Sequence, residues 1–264
     1  VTHPWFTGAD TPRVLAHRGL VTPDMASDGI AENSFAAIAH AHAIGVPYVE
    51  SDCHLTRDGV VVLFHDDDLT RITGDPRPIA DVDLRELARL MAPRGGLATL
   101  AQALEAFPSL RFNLDVKAPA AAVPVGQGVA EHGARVLVTS FSDERRRAAL
   151  RAASSAATAT DGGVRPSTSA GTGTVARLLA AVALGSTRAV ARVLTGIDAI
   201  QIPERHGRFR VLTPRLIRAV HRVGVEVHVW TVNDPHDMLR LVALGVDGIV
   251  TDRADVALDV LRVG

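Results

Sequence analysis

A single cysteine, Cys53, stands in a chain of 264 residues, which excludes an intrachain disulfide and any metal centre built from several thiolates. Aromatic residues make up only 4% of the chain, so Ala, Val and Leu must fill its core. The apolar runs are broken by Arg, Gly or Ser before they reach the roughly 20 residues that a membrane-spanning helix needs. Neither sign of charge dominates: 28 basic and 29 acidic residues leave a formal charge of −1. That balance offers no long-range attraction to nucleic acid or to an anionic membrane, although the field of a single pocket can differ greatly from the average. No GxGxxG follows the first strand, no Walker A sequence occurs, and no basic-aromatic interleaving marks a nucleic-acid surface. The start, VTHPWFTGADTPRV, lacks a basic segment followed by an apolar one. With the neutral charge, this sets a cytoplasmic expectation, to which a processed secreted form is the alternative.

What is present is a rhythm. Apolar runs at 13–16, 46–53, 111–116, 135–141, 197–203, 225–233 and 246–253 read as strands, with a weaker candidate at 163–168. Between them, 3.6-residue periodicity predicts helices over 35–45, 99–107, 143–153, 173–186, 213–224, 234–245 and 253–263. About eight strands alternating with helices predict an α/β fold, a closed TIM (β/α)8 barrel rather than an open doubly wound sheet. Arg57-Asp58-Gly59 is a turn signal ahead of the run at 60–64, so a hairpin excursion is expected there. Asp83 is placed to cap a helix over 84–90. The Ala/Ser/Thr-rich stretch 153–173 reads as a loop around a short strand.

The chemistry concentrates at residues 49–65, VESDCHLTRDGVVVLFH. Glu50 and Asp52 are two apart on a strand and therefore share a face. Two carboxylates on one face repel unless a cation or proton lies between them. The next run delivers His65 and Asp66. Other polar residues collect where strands should end: His17 and Arg18, Asp115 and Lys117, Gln201, Trp230 and Asn233. Strand C-termini form the catalytic face of such barrels.

Glu50, Asp52 and Asp115 make a hard-oxygen set suited to Mg²⁺ or Ca²⁺, with Mn²⁺ also possible. The alternative is a structural ion-pair network in which Arg18 and Lys117 balance the acids. His17 and His65 are candidates for an acid-base pair, and Arg18 and Lys117 for an anion clamp. Glu32 either serves the pocket or belongs to a helix start at which Asn33 and Ser34 are the caps. Gln201 and Trp230 are candidate substrate contacts. His40, His42, His221 and His228 suit surface or packing roles.

In order and spacing, HRG at 17–19, ENS at 32–34, ExD at 50–52, LTRDGVVVLFHDDDLTRITG at 55–74, LDVK at 114–117, VWTVN at 229–233 and VDGIVTD at 246–252 resemble the glycerophosphodiester phosphodiesterase family. The resemblance covers nearly the whole chain. It implies one barrel domain over 1–264, with a small insertion at about 54–98 after the second strand. It further implies one divalent cation, and hydrolysis of small glycerophosphodiesters to sn-glycerol 3-phosphate and an alcohol. By the same resemblance His17 and His65 match the acid-base pair, Glu50, Asp52 and Asp115 the metal ligands, and Arg18 and Lys117 the phosphate holders. A lysophospholipase D or sphingomyelinase D-like activity is the alternative, and a non-catalytic phosphodiester-binding protein a more distant one. The chain departs from the pattern at Asp115, where Glu is usual, and at Arg253, where Pro is usual. Oligomeric state is open.

Overall fold

The computed structural model describes residues 3–7, 11–158 and 163–261. Eleven strands are found among them: β1 Arg13–His17, β2 Tyr48–Leu55, β3 Val61–Leu63, β4 Arg111–Val116, β5 Val136–Thr139, β6 Ser167–Thr168, β7 Ala199–Ile202, β8 Arg205–His206, β9 Phe209–Arg210, β10 Glu226–Val229 and β11 Gly248–Thr251. Eight of these lie parallel in the order β6-β5-β4-β2-β1-β11-β10-β7. A bridge from Ser169 to Ala199 and a hydrogen bond from the Asp198 amide to the Thr168 carbonyl join the two ends. The result is a nearly closed eight-stranded barrel wrapped in helices, as the alternation of strands and helices predicts.

Period-two alternation divides the strand residues between two environments. One set, with Val14, Ala16, Val49, Phe112, Leu114 and Val138, packs outward into the large core beneath the helices. The other, with Leu15, Tyr48, Leu137, Ala199 and Val250, forms a smaller inner core with Trp5 and Phe6. Trp5 stops the strand N-terminal end of the barrel. Its ring meets Tyr48 at 4.7 Å and stacks on His228 at 5.9 Å, and its Nε1 donates to the Phe112 carbonyl at 3.1 Å. Above it, Arg13 and Glu226 form a two-pronged ion pair with both contacts at 2.8 Å. His228, expected in a packing or surface role, lies fully inside the barrel between Glu226 and Gln201. The barrel is therefore stopped at one end and polar toward the other.

After β2 the chain turns at Gly59, φ 80°, into the antiparallel β3. The segment that follows has its own core, in which Val62, Phe64, Leu69, Ile79, Val82, Leu87 and Met91 pack together. Asp83 caps the helix Leu84–Met91, as its position predicts. Two features differ from the sequence reading. The helix Thr187–Val193, capped by Ser186, follows so closely on Thr172–Ala183 that their apolar patterns merge. The hairpin β8–β9 lies in a stretch without apolar alternation. Part of the stretch 153–173 lies outside the described residues; its strand is the two-residue β6. Among the described residues, no helix is long and apolar enough to cross a membrane.

Candidate active site

Parallel register brings the polar strand ends together. His17 is level with Glu50, Glu50 with Asn113, Asp52 with Asp115, and Asp115 with Thr139. Immediately after β1 the backbone turns through two positive φ values, 60° at Arg18 and 84° at Gly19. Arg18 is held in this conformation by its amide, which donates to the Glu50 carbonyl, and by its carbonyl, which accepts from Asn33. A Cβ on Gly19 would lie 2.6 Å from the Ala37 carbonyl carbon, so only glycine fits at that position.

Asp52 is the most heavily partnered carboxylate. Lys117 Nζ lies 2.9 Å from its Oδ1, Arg18 Nε lies 3.0 Å from its Oδ2, and Asn33 Nδ2 donates to Oδ2 at 3.1 Å. Burial disfavours its charge, but the Lys117 and Arg18 cations outweigh burial and hold its pKa below the usual carboxylate value. Lys117 also reaches Asp115 Oδ2 at 2.8 Å. Of the two alternatives for residues 32–34, the helix-start one holds for Ser34, which caps the helix Phe35–Ala43, whereas Asn33 supports Asp52.

Each candidate imidazole is pinned at one nitrogen by a carboxylate. His17 Nδ1 lies 2.6 Å from Asp252 Oδ1, and Asn233 Nδ2 donates to the other Asp252 oxygen at 2.7 Å. Burial opposes a charged His17, but the Asp252 contact and the nearby Glu50 outweigh it and raise the His17 pKa. His65 Nδ1 lies 2.6 Å from Asp66 Oδ1. Arg71 holds the other oxygen of Asp66 at 2.7 Å and also reaches Glu32 at 2.7 Å, while Glu32 contacts Arg18 at 2.6 Å. Among the described residues His65 Nε2 takes no hydrogen bond, and His17 Nε2 faces Glu50 Oε2 at 3.8 Å without bonding it. Neither Nε2 is therefore committed, the arrangement a positioned acid or base requires.

Among the described residues, three buried oxygens have no hydrogen-bond partner: Glu50 Oε2, Asp115 Oδ1 and Asn113 Oδ1. The Glu50 pKa is pushed up to about 8, by burial first and then by the charge of Asp52. A carboxylate in that position needs a proton or a cation. Among the described residues, no three His, Cys, Asp or Glu side chains stand ready as a metal cage. Both oxygens of Asp52 already face donors, whereas Glu50 and Asp115 each keep a free oxygen. This hard-oxygen set fits a divalent cation, with Glu50 and Asp115 better disposed than Asp52.

These groups open onto a cavity of about 660 Å³, lined by His17, Arg18, Glu50, Asp52, His65, Asp115, Lys117, Gln201 and Trp230 among others. The sequence candidates converge there, with the exceptions of Glu32, which contacts Arg18, and Asn233, which holds Asp252. Gln201 is partly committed to the interior, accepting from Asn113 Nδ2 at 3.3 Å and contacting His228. Trp230 is at the rim, edge-on to Phe141 at 5.9 Å. Sequence reasoning gave no role to Asp252 or Asp66, which pin the two imidazoles, or to Asn113 and Arg71. The flank away from the carboxylates is apolar, with Val175, Leu179, Ile202, Phe209 and Val211.

A parallel barrel whose C-terminal mouth carries acids, fixed cations and two oriented imidazoles belongs to the class of barrel hydrolases that act on small anionic esters. Residues 17–256 match the glycerophosphoryl diester phosphodiesterase family. A Mycobacterium tuberculosis protein named "probable glycerophosphodiester phosphodiesterase 2" is 38% identical, with 96% of this chain and 95% of that protein covered. A Rattus norvegicus lysophospholipase D is 25% identical, with 91% and 83% covered. The structure of an Oleispira antarctica phosphodiesterase in complex with the product sn-glycerol-3-phosphate has a similar fold, with a TM-score of 0.69 at 21% identity and 96% and 97% coverage. This chain belongs to the glycerophosphoryl diester phosphodiesterase family. It is an enzyme, a phosphoric diester hydrolase.

Proposed function

We propose that this chain, acting as one barrel domain with the segment after β2 as its insertion, hydrolyses glycerophosphodiesters to sn-glycerol 3-phosphate and an alcohol at this mouth. The observation that carries the reading is the pair of imidazoles, each held at Nδ1 by a carboxylate, in the cavity that also holds Arg18 and Lys117. Arg18 and Lys117 bind the non-bridging oxygens of the diester and draw charge from phosphorus. His17 takes the proton of the glycerol 2-hydroxyl as that oxygen attacks phosphorus. His65 gives a proton to the departing alcohol, leaving a cyclic 1,2-phosphate. Water then opens the ring with the two roles reversed, restoring both histidines. General acid-base help of this kind contributes about 10²- to 10⁴-fold per group.

Glu50 and Asp115 would hold a divalent cation, Mg²⁺ or Ca²⁺, with Asp52 joining if it releases an ion pair. When bound, the cation supplies Lewis-acid stabilisation of charge on the diester. Asp115 holds Lys117 through Oδ2 while its buried Oδ1 has no hydrogen-bond partner among the described residues, which supports a ligand role at that strand. The near-neutral charge is the support for a cytoplasmic location.

The apolar flank favours a second reading, a lysophospholipase D activity in which an acyl chain lies along Val175, Leu179 and Val211. One assay separates the two: glycerol 3-phosphate release from glycerophosphocholine, glycerophosphoethanolamine and glycerophosphoinositol, run beside choline release from lysophosphatidylcholine. The proposal expects glycerol 3-phosphate from the first set, lowered at least about 10²-fold in H17A and H65A. Wild-type turnover in either variant would remove the acid-base assignment. Cleavage of the lysolipid alone would move the function to the second reading.

A further inference from the structure

After β7 the chain rises from Glu204 into the hairpin β8–β9, turning through Gly207 at φ 56°. All six residues, RHGRFR at 205–210, are exposed, and the hairpin pairs only with itself. A lone two-stranded hairpin is marginal in water, yet this one presents Phe209 at 65% exposure on the rim of the catalytic cavity. Phe141, 58% exposed, shares that rim. Two large exposed aromatic rings at one opening mark a surface that meets something apolar.

The charge at the hairpin is equally one-sided. It contains three arginines and no carboxylate. Its flanking acid, Glu204, is taken mainly by Arg240, at 2.7 Å and 3.1 Å, against 3.5 Å to Arg210. Among the described residues, no carboxylate pairs with Arg205 or Arg208. The Arg208 guanidinium lies over the Phe209 ring at 5.2 Å, so a cation and an aromatic ring are presented together. Aromatic residues at an interface with arginines beside them are what a peripheral lipid-binding element uses. The chain's overall charge gives no hint of this, because the basic excess is local.

We propose that the hairpin seats the cavity mouth on an anionic lipid surface, with Phe209 and Phe141 entering the acyl boundary and Arg205 and Arg208 meeting lipid phosphates. The cavity that Phe209 lines also carries the apolar side chains of Val211 and Leu179 and both histidines. The inference goes beyond the hydrolytic reading and does not depend on it, since binding to lipid is read without turnover.

The test is co-sedimentation of the full chain with vesicles of phosphatidylcholine alone and of phosphatidylcholine with 30 mol% phosphatidylglycerol (about a third anionic, enough for a polybasic element to sense). Wild type is expected to bind the anionic vesicles, more weakly as salt rises, and to bind the neutral vesicles poorly. R205Q/R208Q should lose roughly 25-fold in partitioning, at about 5-fold per arginine, while hydrolysing soluble glycerophosphodiesters as wild type does. In Phe209→Trp, brominated acyl chains should quench indole emission beyond any quenching of wild type, whose Trp230 lines the same cavity. No binding to either vesicle, equal binding to both, or wild-type partitioning of R205Q/R208Q would each overturn the proposal. No added quenching in Phe209→Trp would overturn the insertion of this ring into the acyl boundary.

Discussion

Arg71 binds two parts of the site at once. One edge of its guanidinium fixes Asp66, which pins His65, and the other fixes Glu32, which braces Arg18. Arg71 touches no reacting atom in this arrangement and is a positioning residue. Arg71→Ala should lower kcat by about 10²-fold, the loss expected when reacting groups shift by roughly 1 Å. KM should rise as well, because Arg18 loosens, and Arg71→Lys should recover only part of both. Unchanged kcat and KM would show that His65 and Arg18 are held by other contacts. At this scale the sequence was partly legible. Glu50 and Asp52 could be read because they are adjacent on one strand face, and His65 because a short apolar run delivers it. Asp252 could not be paired with His17, since the two are 235 positions apart and only barrel closure brings them together. Arg71 was hidden for a different reason: an arginine in a short polar stretch, here the helix Thr70–Thr73, shows no sign of what it will reach.

The elements repeat that division. Strands β1, β2 and β4 have apolar runs long enough to read, and they carry most of the site. The two-residue β6 was legible only as a weak candidate at 163–168, because a barrel needs only a few ladder bonds there, and the hairpin β8–β9 was not read because it has no buried face to impose alternation. The turn after β1 is the element on which Arg18 depends. At Gly19 a positive φ coincides with backbone closer than any Cβ tolerates. Gly19→Ala should therefore cost about 2–3 kcal/mol in urea unfolding, with a fall in kcat/KM from the displaced Arg18. Wild-type stability in that variant would mean that the turn relaxes without difficulty.

Across the whole molecule, the barrel is closed at one end by Trp5 and open at the other, and a polar column runs between the ends. Glu226 stands in that column. Burial opposes its charge, yet Arg13 and His228 overcome burial and lower its pKa to about 2. A carboxylate with a depressed folded-state pKa stabilises the fold above its ordinary pKa of 4.5 and loses that contribution as pH falls toward 2. Glu226→Gln should thus be less stable than wild type by a few kcal/mol near pH 6, and the difference should shrink steadily below pH 4.5. A gap that stays constant down to acid pH would assign the loss to packing.

The proposed reaction at this mouth is hydrolysis of glycerophosphodiesters with the help of a divalent cation held beside Glu50 and Asp115. The most direct measurement follows glycerophosphocholine by ³¹P NMR, first with the protein as isolated, then after EDTA, then with Mg²⁺, Ca²⁺ or Mn²⁺ returned. The expected result is conversion of the diester signal to that of glycerol 3-phosphate, loss of conversion in EDTA, and recovery with at least one of the three ions. Undiminished conversion in EDTA, or an unchanged diester signal with every ion, would contradict it.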